Sequence, residues 1–243
     1  MSLTPRLEAA LFDLYGTLVD IQVDEDSPRL WNELAAAFRE RDIPVEPSDL
    51  RQRFQAFLRE EAERGREGFL MDPVFRRLLT SLDAGNDVVR VGRLFRELSM
   101  KQMHLRPYVE PLFGQLHRSD VKVGIVSNTE ALLTRFELDT LPILQTAEAI
   151  VLSSDVGVRK PDPEIFQLAV SRIGATSDTA VFIGNDWAAD VLGARRAGIS
   201  AIYLNEKLTD GVQTRTDFEG VYEVAPTLDA IATALRQVGW RSN

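Results

Sequence analysis

The tightest constraint on the fold is a set of short apolar runs, most of which end in polar residues. Ala9-Ala10-Leu11-Phe12 gives way to Asp13 and then to a turn at Gly16 and Thr17. The run 121–126 ends at Ser127-Asn128, and 180–183 ends at Gly184-Asn185-Asp186. Residues 149–152 and 201–204 are two more runs of the same kind, and 221–224 is a last one. These lengths suit strands rather than helices. From Pro107 onward the runs alternate with helical patterns: 110–117, a segment opened by Asp162-Pro163 and closed by Gly174, another from about Trp187 to Gly198, and one after Thr227. Alternation of buried strands with helices predicts an α/β chain with a parallel sheet covered on both faces.

Between the first run and residue 106 the pattern is different. Apolar residues recur at spacings of three and four in Leu30, Trp31, Leu34 and Phe38 after Pro28. They recur again in Leu50, Phe54, Phe57 and Leu58 after Pro47-Ser48. Val74, Phe75, Leu78, Leu79 and Leu82 follow Asp72-Pro73. Val88, Val91, Leu94, Phe95 and Leu98, with Met103, follow Asn86. Four amphipathic helices are expected, with no strand over about 20–106. The predicted architecture is a Rossmann-like parallel-sheet core (1–19 and 107–243) with an inserted all-helical domain (20–106). Residues 205–220 read as a polar loop, and His104 and His117 as helical residues without a partner in the sequence.

The 243 residues carry a formal charge of −9 and no cysteine, with 44% hydrophobic residues. That balance disfavours a nucleic-acid or anionic-membrane surface, each of which needs clustered cations. Disulfides and thiolate metal sites are excluded. With no cationic apolar leader at its start and no run of membrane-spanning length, a cytoplasmic protein, monomer or homodimer, is expected.

Where the polar residues fall is informative. Asp13, Ser127 and the Asn185-Asp186 pair follow strand ends, and Lys160 lies shortly after the run 149–152. In a parallel sheet these groups meet at the carboxyl edge, where ligands bind. A carboxylate, a hydroxyl and an ammonium sharing one pocket are a kit for covalent catalysis on an anionic small molecule. Asp13 would be the nucleophile, Lys160 its neutralising cation and Ser127 a hydrogen-bond donor. Asp186 also suits the N-cap of the helix from Trp187, and Asp190 lies inside that helix.

The segments FDLYGT (12–17), VSNT (126–129), RKPDP (159–163) and GNDWAAD (184–190), in this order, resemble the haloacid dehalogenase-like hydrolase superfamily with a helical cap of its first type. The resemblance implies a catalytic set of Asp13, Tyr15, Thr17, Ser127 and Lys160, with substrate held by Ser127, Asn128 and Lys160. It also implies Mg²⁺ held by Asp13, the carbonyl of Tyr15, Asp186 and Asp190, with Asn185 an alternative to Asp186. The family's phosphatases normally carry a second Asp where this chain has Tyr15, whereas its L-2-haloacid dehalogenases carry Tyr there. A halide leaves without a proton, so that acid is dispensable in dehalogenation. Against dehalogenation, Phe166 stands where those enzymes have Tyr, and Asp186 and Asp190 resemble the acidic pair of the phosphatases. The leading expectation is a Mg²⁺-dependent phosphohydrolase of small phosphorylated metabolites. The alternatives are a metal-independent 2-haloacid dehalogenase and a non-catalytic ligand-binding relative.

Overall fold

The computed structural model describes residues 6–65, 71–214 and 219–241. Along the chain run β1 (Ala9–Phe12), β2 (Val19–Val23), α1 (Pro28–Arg39), α2 (Pro47–Glu63), α3 (Met71–Ser81), α4 (Val88–Ser99), β3 (Met100–Leu105), α5 (Val109–Arg118), β4 (Lys122–Ser127) and α6 (Ala131–Asp139). Then come β5 (Ala149–Leu152), α7 (Ser153–Val156), α8 (Pro163–Ile173), β6 (Ala180–Gly184), α9 (Leu192–Arg196), β7 (Ser200–Leu204), β8 (Val212–Thr214), β9 (Val221–Val224) and α10 (Leu228–Gln237).

The main sheet has the order β5-β4-β1-β6-β7-β9-β8. Its first six strands are parallel, and β8 joins β9 antiparallel. This is the expected Rossmann-like α/β architecture. β1 sits between β4 and β6 with all four residues buried. Its register aligns Phe12 with Ile125 on one side and with Ile183 on the other. Such a strand has no solvent face, which explains why its sequence is continuously apolar rather than alternating. α8 covers this region with Ile165, Phe166, Ala169 and Ile173, packed with Leu11, Val126 and Phe182. Its limits follow from local chemistry: the Asp162 side chain accepts from the Glu164 N–H, Pro163 occupies the first turn, and Gly174 closes the helix at φ 70°.

The chain divides into two compact units, 1–20 with 104–128 and 141–243, and 21–103 with 129–140. The second unit is mainly helical. Trp31, Phe54, Phe75 and Phe95 form its aromatic centre, with ring centroids from 5.1 to 6.0 Å apart. Leu133 of α6 belongs to the same cluster. Residues 129–140 thus group with the helical unit, although their position in sequence suggested the core.

Several expectations need correction. Residues 20–106 contain strand, because β2 and β3 form a separate two-stranded sheet. Met103, which was expected to continue the helical spacing of α4, belongs to β3, and so does His104. α6 escaped notice because it buries Thr134 and Glu137 beside Leu133 and Leu138, which blurs the apolar stripe. The expected loop 205–220 contains β8, and residues 215–218 of that loop lie outside the described residues. The segment expected as a helix from Trp187 begins as a π-turn, Trp187–Val191, before α9.

Candidate active site

The site is built on three adjacent strand ends. Asp13 follows β1, and its N–H donates to the Ile183 carbonyl of β6 at 2.9 Å. Ser127 closes β4 and Gly184 closes β6. The polar ends of three parallel neighbours are therefore brought level at the carboxyl edge, as expected for an open α/β sheet. A cavity of about 460 Å³ opens there. Asp13, Tyr15, Ser127, Lys160, Asp186 and Asp190 line it, together with Asn128, Asn185, Trp187 and Ala189.

Lys160 is the electrostatic centre. Its Nζ donates to Asp13 Oδ1 at 2.6 Å and to the Val126 carbonyl at 3.0 Å, and it meets Asp190 Oδ1 at 2.7 Å. The side chain is only 2% exposed. Burial is the largest influence on this ammonium and acts to lower its pKa. The combined pull of Asp13 and Asp190 outweighs it, so Lys160 is held cationic with its pKa raised. The Phe182 ring lies 5.3 Å from Nζ. Asn128 fixes the main chain of this residue: its Oδ1 accepts from the Lys160 N–H at 2.7 Å, and its Nδ2 donates to the Lys160 carbonyl at 2.8 Å.

Asp190 is 1% exposed and engaged through both oxygens. Oδ1 meets Lys160, and Oδ2 accepts from the Asp186 N–H at 2.9 Å. Burial, opposed by Lys160 and reinforced by Asp13, pushes its pKa up to about 6. This position behind Lys160 differs from the metal-ligand role that the resemblance implied for it. The π-turn makes it possible. Val191 N–H bonds to the Asp186 carbonyl across five residues, and that extra residue lets Asp190 fold back onto the start of its own turn. Gly184 leaves room for it, since a Cβ there would lie 2.3 Å from Asp190 Oδ2.

Asp186 is exposed, and its Oδ1 accepts from the N–H groups of Ala188 and Ala189, both at 2.8 Å. It is thus the N-cap that its position suggested. Thr17 is fully buried and absent from the cavity wall; its Oγ1 donates to Asn185 Oδ1 at 3.3 Å. Tyr108 donates from its hydroxyl to the Thr17 carbonyl. Asn185 in turn lies against Gly16, whose φ of 75° and whose distance of 2.4 Å from a built Cβ to Asn185 Nδ2 together demand glycine.

Among the described residues, no group of three or more acidic or histidine side chains has metal-binding geometry. The cavity wall carries the side-chain oxygens of Asp13, Asp186 and Asn185, beside Tyr15. Few protein oxygens completed by water and substrate oxygens suit Mg²⁺, so the donor set fits that ion.

Most of the residues marked in the sequence meet here; Thr17 alone stands behind the wall. Sequence reasoning missed Trp187 and Ala189 as lining residues, the Asn128 clamp and the clearance at Gly184. A glycine between an apolar run and Asn-Asp was visible, but nothing in the sequence announces a π-turn.

The family model of haloacid dehalogenase-like hydrolases matches residues 7–198, and the chain belongs to that family. The chain is 33% identical over 100 residues to a glyceraldehyde 3-phosphate phosphatase of Methanothermobacter thermautotrophicus, a match covering 41% of this chain and 44% of that protein. It is 26% identical to a phosphoglycolate phosphatase of Salmonella paratyphi A, over 84% of this chain and 83% of that one. The chain spans about half the length of several curated relatives that it matches. A 2-haloacid dehalogenase from Pseudomonas syringae shares the fold, with a TM-score of 0.61 at 22% identity, over 95% of this chain and 99% of that one. No helix among the described residues is long and apolar enough to cross a membrane.

Proposed function

We propose that this chain is a phosphohydrolase of small phosphorylated metabolites, working through a covalent intermediate on Asp13. The observation that carries the reading is the buried Lys160, which bridges Asp13 and Asp190 at the floor of a cavity open to an anion. A nucleophilic carboxylate must approach an anionic phosphoryl group, and the fixed ammonium offsets that repulsion. Asp13 attacks phosphorus, the Ser127 hydroxyl donates to a phosphoryl oxygen, and Asn128 keeps the Lys160 backbone in place. Thr17 acts through Asn185 and Gly16 on the loop that carries Asp13 and Tyr15. Mg²⁺, held by Asp13, the Tyr15 carbonyl and Asp186 or Asn185, would add Lewis-acid neutralisation of the phosphoryl oxygens. A core of 1–19 and 107–243 that carries the chemistry, with a helical cap of 20–106 selecting the substrate, belongs to the same reading.

The test is Mg²⁺-dependent phosphate release from a panel of phosphorylated metabolites, with intact-mass detection of a phosphoryl group on Asp13. Turnover and mass increment should both vanish in Asp13→Asn. A Mg²⁺ titration of wild type and Asp186→Asn by calorimetry checks the metal separately.

Tyr15 favours a second reading, dehalogenation of a short 2-haloacid, because it leaves no carboxylate two residues after the nucleophile. Chloride release from 2-chloropropionate in chelator would establish it, and no release at high enzyme concentration would remove it.

A further inference from the structure

The active-site cavity has two kinds of lining. Asp13, Ser127 and Lys160 offer ionic and hydroxyl groups suited to a phosphoryl group, and the proposed chemistry uses each of them. Trp187 lines the same cavity and has no part in that chemistry. An indole brings no charge to set against phosphate; what it offers is a large, flat, apolar surface. That surface is held in place from three directions. Trp187 opens the π-turn directly after the Asp186 cap, and its carbonyl accepts from the Leu192 N–H. Its ring meets Tyr203 of β7 edge-to-face, with centroids 5.4 Å apart and planes at 80°. Both rings are partly buried and packed against the core cluster that contains Phe166 and Phe182. A side chain already fixed by its backbone, a second ring and the core loses little freedom when a ligand covers it.

We infer that Trp187 is a specificity-determining residue, selecting phosphate monoesters whose alcohol carries a planar aromatic or heteroaromatic ring. This inference rests on the phosphohydrolase reading. The phosphoryl group lies against Asp13 and Lys160, and the ring of the leaving alcohol covers the indole surface on the cavity wall. Tyr15, the other aromatic lining residue, adds a second apolar surface. Stacking of this kind tolerates many ring types, because each has a π-face, so the presence of a ring matters more than its identity. Trp187 makes and breaks no bond. Its contact is the same in ground state and transition state, so it lowers KM and leaves kcat alone. Part of the substrate selection is thereby made in the core, at the strand edge itself.

The experiment compares two primary alkyl phosphates of matched leaving-group basicity, 2-phenylethyl phosphate and 2-cyclohexylethyl phosphate, in Mg²⁺ buffer. The two share a carbon skeleton and differ in whether the ring is flat. Wild type, Trp187→Phe and Trp187→Leu are read as kcat and KM for phosphate release. Calorimetric affinities for the two corresponding phosphonates, which cannot be hydrolysed, give a readout independent of turnover. Wild type should show a KM about 2–10-fold lower for the phenyl donor, the range of an aromatic pair beyond its buried area. The phosphonates should show the same preference. Trp187→Phe should keep it, and Trp187→Leu should bring the ratio to about one with the ratio of kcat values unmoved. Because each ratio is taken within one variant, a general disturbance of the site cancels. Equal KM values and phosphonate affinities in wild type, or a preference that survives Trp187→Leu, would overturn the inference while leaving the phosphohydrolase reading intact. No turnover of any donor, with no phosphoryl group on Asp13, would overturn both.

Discussion

Gly184→Ala isolates one contact on which the geometry of the site depends. The added methyl would sit 2.3 Å from Asp190 Oδ2, 2.5 Å from its Cγ and 2.7 Å from its Cβ. Real Cβ atoms do not approach so closely, and the obstacle is not a flexible tip, because Oδ1 is tied to Lys160 and Oδ2 to the Asp186 N–H. Asp190 must give up at least one of these. Depriving a buried ion pair of a partner costs about 3–5 kcal/mol, and orphaning a buried hydrogen-bonding group about 1–3. Replacing a strand glycine by alanine returns about 0.5–1 kcal/mol. The net expectation is a loss of about 2–4 kcal/mol. At about 2–4 °C per kcal/mol for a chain of this size, 3 kcal/mol corresponds to a Tm lower by about 6–12 °C. Urea and thermal unfolding of Gly184→Ala, Asp190→Ala and the double variant form the assay. In the Asp190→Ala background the contacts at 2.3 and 2.5 Å are removed and only the one to Cβ at 2.7 Å is left, with no buried ion pair to break, so adding Gly184→Ala should cost clearly less than it does in the wild type. An equal loss in both backgrounds, or a wild-type midpoint for Gly184→Ala, would refute the reasoning.

Three further outcomes follow from described contacts. Asn128→Ala removes two hydrogen bonds to the Lys160 backbone at 2.7 and 2.8 Å. It should cost about 1–3 kcal/mol in urea unfolding and reduce kcat more than it raises KM. Asp190 carries a folded-state pKa of about 6 against an ordinary 3.8. The folded protein therefore binds this proton more readily than the unfolded chain does. Its contribution favours folding at acid pH and is lost as pH rises from about 4 to about 6, an effect on the order of 3 kcal/mol. Asp190→Asn should remove that component from the difference between stability–pH curves, and parallel curves would contradict it. Asp87 caps α4 by accepting from the Arg90 N–H at 3.1 Å, so Asp87→Ala should lower stability by about 0.5–2 kcal/mol in thermal unfolding.

The main sheet was legible because parallel strands are buried on both faces and leave continuous apolar runs such as Ala9-Ala10-Leu11-Phe12. Convergence of the site was legible for a related reason: in a parallel sheet, whatever follows each run lands at the same edge. The ribbon of β2 and β3 was hidden because Met103 prolongs the spacing of α4. Its half-exposed residues alternate too weakly to compete with that pattern. α6 was hidden by buried polar groups, whose partners only the fold supplies. Within the site, Asp190 could be marked but not assigned. Whether its carboxylate faces Lys160 or a metal depends on one extra residue in a turn, and a helical repeat drawn through 187–198 rotates it elsewhere.

The strand that carries Asp13 has both of its neighbours far along the chain. Lys160 reaches Asp13 across 147 residues, and Thr17 reaches Asn185 across 168. Contacts this distant close large loops before they return any stabilisation, so they form late and make folding slow. During synthesis, β1 must wait as an unpaired apolar segment until β4 and then β6 have been made, whereas the helical segment 21–103 completes its aromatic centre from nearby residues. The active centre therefore cannot exist until β6 has been made. A chain cut short before β6 would carry Asp13, Ser127 and Lys160 and still have no site in which to use them.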